Sequence, residues 1–139
     1  MDDPSALGER IIENMADAVI YANRSGKIER WNQACVALFG FDQSEALGQG
    51  LDLIIPAHLR AAHWRGFEQA ISSARTRLHG RATLTRALHK DGRKLYVEMS
   101  FALVLDGNGV VEGAVAVARD VTSRVEQERL ARHGDGAGA

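Results

Sequence analysis

His63 is the residue of this chain whose type and setting most directly invite chemistry. The stretch Pro56 to Ala74 reads as a helix, and at roughly 100° per residue it gathers Leu59, His63, Gly66, Phe67, Ala70 and Ala74 on one face. Apart from the imidazole that face is apolar, so the ring points inward. No carboxylate accompanies it in the local sequence. An inward imidazole of this kind either hydrogen-bonds within a core or coordinates something held there. The other histidines offer less. His58 lies off the inward face, and His79 and His89 flank an extended run with no partner at metal-ligand spacing. Cys35 stands alone, which excludes an intramolecular disulfide and an all-cysteine metal cage. No nucleophile, base and orienting group occur together, so the expectation is a protein that is not an enzyme, with no catalytic residue.

The elements that must position His63 follow from periodicity. Pro4 to Met15 carries Leu7, Ile11, Ile12 and Met15 at helical spacing, with Ser5 at a cap position. Ala18 to Ala22 and Lys27 to Trp31 are β-prone runs joined by the turn Asn23-Arg24-Ser25-Gly26. Asn32 is placed to cap a helix containing Ala34, Cys35, Leu38 and Phe39 that Gly40 ends, and Asp42 and Glu45 have capping-box spacing for a short helix stopped by Gly48. Pro56 then suits the first turn of the long helix, where its missing N–H costs little. After that helix the period changes to that of strands. Arg77 to His89, Lys94 to Leu105 and Val110 to Val121 are extended runs, separated by the hairpin signals Lys90-Asp91-Gly92-Arg93 and Asp106-Gly107-Asn108-Gly109. In the middle run Leu95, Val97, Met99, Phe101 and Leu103 alternate with more polar residues; in the last, small apolar residues occupy both faces. Thr122 or Ser123 caps a polar exit helix, Ser123 and Glu126 having capping-box spacing, and the glycine-rich stretch from His133 to Ala139 is expected to be disordered.

Strands gathered around a helical middle indicate an α+β domain on an antiparallel sheet, with helices on one face and an apolar space between sheet and long helix. The expected divisions are a leading helix over residues 1–16, a core over 17–121, an exit helix over 122–132 and a tail over 133–139. The 139 residues suit one compact domain, and 45% hydrophobic and 25% charged residues are ordinary for a globular chain. A net charge of −1 provides no electrostatic attraction to nucleic acid or to an anionic membrane. No apolar run is long enough to span a bilayer and the acidic start MDDPSALGER is not a secretory signal, so the expected location is cytoplasmic.

A set of short motifs, in this order and at this spacing, resembles the PAS domains, the S-box sensor domains. These are Asp17-Ala18-Val19-Ile20, Gly26-Lys27-Ile28, Trp31-Asn32-Gln33-Ala34, Leu38-Phe39-Gly40-Phe41, Glu45-Ala46-Leu47-Gly48-Gln49, His89-Lys90-Asp91-Gly92 and Arg119-Asp120-Val121-Thr122, together covering about Leu7 to Leu130. The resemblance implies a PAS fold, a five-stranded antiparallel sheet cupping a small cavity. It also implies sensing or protein association rather than catalysis, with a homodimer or a partner signalling protein receiving the signal. Asp120 and Thr122 match the acidic residue and threonine that in this family couple the sheet to a signalling helix.

A narrower resemblance concerns Pro56-Ala57-His58-Leu59-Arg60-Ala61-Ala62-His63, which is similar to the haem PAS domains of oxygen-sensing histidine kinases. There a histidine at this distance from the proline is the axial ligand of haem b, which makes His63 the implied metal ligand. The cavity lining would comprise Leu59, Phe67 and Ala70 from the helix, and Thr83, Met99, Phe101 and Val115 from the strands. Met99 and Phe101 match the apolar residues of the distal side. One departure stands out: the strand position that carries a gas-responsive arginine in those sensors is Thr83 here, with Arg81 two residues earlier. The polar cysteine motif of the light-sensing flavin relatives is missing, Cys35 lying instead in the first core helix. A histidine hydrogen-bonded in a core, a cofactor-free association module dimerising through Leu7, Ile11, Ile12 and Met15, and a small organic ligand in place of haem all remain open readings at this point.

Overall fold

A computed structural model describes residues 4–75 and 81–137. Their order is α1 (Pro4–Asn14), β1 (Ala18–Asn23), β2 (Ile28–Trp31), α2 (Gln33–Phe39), α3 (Gln43–Ala46), α4 (Arg60–Ser73), β3 (Thr83–Leu88), β4 (Lys94–Leu105), β5 (Val111–Asp120) and α5 (Thr122–Ala137). The strands form one antiparallel sheet in the order β2-β1-β5-β4-β3, an α+β architecture. The hairpin β4–β5 forms the centre, as its two turn-linked alternating runs require, and the first hairpin docks alongside through β1.

Register decides which side chains meet. Phe101 lies opposite Ala116, which in turn lies opposite Ile20, while Met99 lies between Thr83 and Ala118. Cross-strand partners share a face. Small alanines on β5 therefore stand beside large side chains on β4, leaving the middle of the sheet concave. At one end the concavity is filled: Trp31, Phe39, Ile20, Ile28 and Val97 are among the largest fully buried side chains, and the Trp31 and Phe39 rings pack 5.4 Å apart. α4 covers the other end without burying any residue completely.

Asn32 anchors the closed end. Its Oδ1 accepts from the main-chain N–H of Val19 at 3.0 Å and of Cys35 at 3.1 Å, and its Nδ2 donates to the carbonyls of Ile12 at 2.8 Å and Asp17 at 3.0 Å. The expected helix cap thus also ties α1 and β1 to α2. Gly40, at φ 83°, closes α2, and the capping box of Asp42 and Glu45 is formed.

Several expectations are corrected. α1 begins at Pro4, so Ser5 lies inside the helix rather than capping it. Pro56 is extended, with ψ 141°, and precedes a 3₁₀ turn over Ala57–Leu59; α4 itself starts at Arg60, whose side chain donates to the Ile55 and Asp52 carbonyls. β3 begins at Thr83, where pairing with Met99 begins, so Arg81 is not on that strand; the expected start of the run at Arg77 lies outside the described residues, as does His79. α5 continues to Ala137 instead of stopping at Arg132, because glycine weakens a helix without removing the N–H that carries its hydrogen bonds. Thr122 is the first residue of α5; its own N–H bonds Asp120 Oδ1 at 2.9 Å, and its hydroxyl grips the main chain of Tyr96. Val121 and Val125 then pack with Tyr96 on the sheet face away from the cavity, where the Arg129 guanidinium sits 5.0 Å from the Tyr96 ring centre.

Candidate functional site

α4, the preceding 3₁₀ turns and the concave sheet enclose two adjoining lobes that share Ala62, His63 and Phe101. The inner lobe, about 310 Å³, is bordered by Leu59 on the helix side, Thr83 and Thr85 on β3, Met99 on β4 and Ala116 on β5. The outer lobe, about 240 Å³, lies between α4 and the β4–β5 hairpin and is bordered by Phe67, Ala70, Leu103 and Ala114. His63 therefore sits at the partition between them. Of the face read from the helical period, Leu59, His63, Gly66, Phe67 and Ala70 line one or other lobe, as do Thr83, Met99 and Phe101 from the sheet; Ala74, the left-handed residue that ends α4, does not.

Val115 does not. It pairs with Ala102 and Tyr21, whereas the neighbouring Ala114 and Ala116 face the lobes, so it belongs to the outer surface of the sheet. Arg81 also fails to reach the site. The arginine at the border of the inner lobe is Arg86, an exposed residue opposite Tyr96. Thr85 and Ala116 were readable as same-face neighbours of Thr83 and Phe101 once register was known.

The His63 imidazole is held by rings rather than by hydrogen bonds. Trp64 packs edge-on with its centre 5.0 Å away, and Phe67 stacks at 6.1 Å. Its Nδ1 is wholly buried and has no hydrogen-bond partner among the described residues. Burial holds the His63 pKa below its ordinary value of 6.5, the Asp52 carboxylate opposing this only in part. A neutral imidazole keeps a lone pair available for a metal or for a donor.

Trp64 supplies the positioning that sequence inspection missed. Its indole Nε1 donates to Asp52 Oδ1 at 2.7 Å, and its six-membered ring fills the notch above Gly26 in the β1–β2 turn, where a Cβ would meet Cη2 and Cζ3 at 2.3 Å. Three segments remote in sequence thereby fix the start of α4 beside His63. No local pattern announces such a contact.

Cys35 is no part of this site. It is fully buried, its Sγ donates to the Val19 carbonyl at 3.3 Å, and burial pushes its thiol pKa up to about 12. Among the described residues no three His, Cys, Asp or Glu side chains gather into a metal cage, so any metal taken up here would rest on His63 and on the group carrying that metal. A neutral imidazole and largely apolar walls fit a haem held by one histidine.

A sheet thus cups an apolar chamber beneath one helix, with its exit helix fastened to the opposite face. A family model described as the PAS fold matches residues 6–121, and the chain belongs to the PAS family of sensory and signal-transduction domains. Among curated proteins it is 27% identical over 123 residues to "Oxygen sensor protein DosP" of Escherichia coli and 25% identical over 125 residues to "Signal transduction histidine-protein kinase AtoS" of the same organism. These matches take in 86% and 88% of this chain but span only 15% and 19% of those relatives. Solved structures repeat the fold. The PAS domain of a Colwellia psychrerythraea protein superposes with a TM-score of 0.75 at 21% identity, covering 87% of this chain and 99% of that one. The PAS domain of Bordetella pertussis BvgS gives 0.68 at 18% identity, covering 98% and 99%. Among the described residues no helix is long and apolar enough to cross a membrane.

Proposed function

We propose that this chain is a non-catalytic cytoplasmic PAS sensor that takes a small cofactor into the chamber behind α4, and that the cofactor is haem b held through His63. The observation that carries the reading is the imidazole itself: neutral, set in largely apolar walls between two lobes, with a buried nitrogen that no group among the described residues satisfies. Thr83, Met99 and Phe101 would face the cofactor from the sheet, and Leu59 from the helix side. When bound, haem iron supplies an open coordination position for a diatomic gas. The likeness to a relative described as an oxygen sensor supports this reading.

The remaining residues explain how occupancy would leave the site. A ligand shifts a domain only through different affinities for its two arrangements. Thr122 grips Tyr96 on β4, whose other face borders both lobes, so a change in β4 would reach α5 through the hydrogen bonds between the Thr122 hydroxyl and the Tyr96 main chain. Haemin titration monitored by absorption tests the cofactor: wild type is expected to give a one-to-one Soret band that His63→Ala loses or shifts. No stoichiometric band, or an identical spectrum from the variant, refutes haem ligation by His63.

One further observation favours association as a second reading. Leu7 and Ile11 on α1 and Met15 just after it are 51%, 55% and 38% exposed, an apolar row beside the half-buried Ile12. Such a row suits a second copy or a partner signalling protein. Light scattering across a concentration series tests self-association, and a monomer throughout excludes it.

A further inference from the structure

β3 is an edge strand: it pairs with β4 on one side, and among the described residues nothing pairs with its other side. Such an edge offers a row of main-chain donors and acceptors to any chain that can lie along it. Sheets commonly guard their edges with proline, lysine or a bulge, and Thr83–Leu88 contains none of these. Its side chains on the face away from the chamber are Leu84, Arg86 and Leu88, of which Leu84 is 55% exposed. Arg86, also exposed, carries the only charge on the strand.

The free charge around Arg86 is of one sign. Tyr96 stands opposite it with the Arg129 guanidinium 5.0 Å from its ring centre, and Lys94 lies two residues before Tyr96 on the same face. Among the described residues none of these cations has a carboxylate partner, the neighbouring Glu98 being taken by Arg124 at 2.7 Å. Neighbours on one sheet face stand about 5–8 Å apart, within a Debye length of about 8–10 Å, so their potentials add. A second copy of β3 is a poor occupant. Antiparallel pairing with the faces aligned sets Arg86 opposite another Arg86, or opposite Leu84 or Leu88, and like charges directly opposite destabilise a sheet. A carboxylate meets no such objection.

From these observations we infer that the free edge of β3 is the docking site of an extended acidic segment of a partner protein, which joins the sheet as a further strand. The segment carries apolar, acidic and apolar residues at alternate positions, facing Leu84, Arg86 and Leu88. Main-chain hydrogen bonds supply affinity, and the guanidinium selects the charge. The site lies outside the chamber and does not depend on what the chamber holds.

Fluorescence anisotropy of the full chain with a labelled peptide of alternating leucine and threonine carrying a central glutamate tests the assignment. Saturable one-to-one binding is expected, weakening as salt rises and at least about tenfold tighter than the same peptide with lysine at its centre. Arg86→Glu should keep a melting temperature near that of wild type, because the residue is exposed, and should bring the two peptides to within about threefold of each other. The glutamate peptide with its central amides N-methylated should bind at least about tenfold more weakly, since it cannot complete the ladder. Absence of saturable glutamate-peptide binding at millimolar concentration overturns the site. Equal affinity for the two charges, or a preference unmoved by Arg86→Glu, overturns the role of Arg86. Undiminished binding of the N-methylated peptide overturns strand addition, and a single-stranded oligonucleotide that displaces the peptide with higher affinity overturns the choice of a protein partner.

Discussion

Replacing Gly26 by alanine tests whether Trp64 is a fixed clamp. Gly26 has φ +80°, and an added Cβ would lie 2.3 Å from Trp64 Cη2 and Cζ3. Left-handed backbone costs a non-glycine residue about 1–2 kcal/mol, and forcing a methyl into a filled contact adds about 1–3 kcal/mol. The ring cannot swing aside freely, because its Nε1 is bonded to Asp52 at 2.7 Å. Gly26→Ala should therefore lose roughly 2–5 kcal/mol in urea unfolding, near 3–5 °C of melting temperature per kcal/mol for a domain of this size. A double-mutant cycle separates the two contributions. In a Trp64→Ala background only the backbone part should survive, reducing the cost to about 1–2 kcal/mol. Equal costs in both backgrounds, or a loss below about 0.5 kcal/mol in wild type, would refute the clamp and with it the account of how α4 is held beside His63.

Four other outcomes follow from single sites. Asn32→Ala removes four hydrogen bonds that join α1, β1 and α2, taking the side-chain acceptor from the Val19 N–H and the amide donor from the Asp17 carbonyl, so a loss of about 2–3 kcal/mol is expected in chemical denaturation. Thr122→Val keeps the shape but leaves the Tyr96 N–H without its acceptor at 3.0 Å; about 1–2 kcal/mol should go, with faster hydrogen exchange in α5, while Thr122→Ser stays close to wild type. Native Cys35 should resist iodoacetamide at pH 8 and react once unfolded, as read by mass spectrometry, because its thiol is buried with a pKa near 12. Burial lowers the His63 pKa in the folded state, so the unfolded chain takes up the proton first: stability attributable to this group is full above pH 6.5 and declines as pH falls from there through the folded pKa. His63→Phe should remove that part of the stability profile, and an unchanged slope below pH 6.5 would contradict it.

Much of this arrangement was legible where local chemistry decides. Lys94 to Leu105 alternates so strictly that its strand bounds and inward face come directly from the period, and Asn32, Gly40 and the Asp42–Glu45 box mark their helix ends through side chains that act within a few residues. β5 was not legible in the same way. Its two faces read valine against alanine, a contrast too weak to show which is inside, and pairing with Phe101 and Ile20 settles the matter in favour of the alanines. Val115 was misplaced for that reason. The delayed start of α4 has a similar origin: Arg60 turns back to the Ile55 and Asp52 carbonyls, a contact that helical spacing does not encode. The clamp of Gly26, Asp52 and Trp64 joins segments with no shared local pattern, so only the folded chain reveals it.

Those long-range contacts also explain how α4 can stand beside unfilled space. The outer lobe, about 240 Å³, is space that α4 and the β4–β5 hairpin leave unfilled. The fold tolerates it because packing is concentrated elsewhere, in Trp31, Phe39 and the saturated amide of Asn32, and because Trp64 holds α4 by one end. With no fully buried residue of its own, α4 is the element whose packing a ligand can complete. Occupancy of either lobe would add contacts to α4 and β4 together, and β4 is the strand to which α5 is fastened. The unfilled space and the route outward are thus two consequences of one design, a sheet packed tightly at one end and left open at the other.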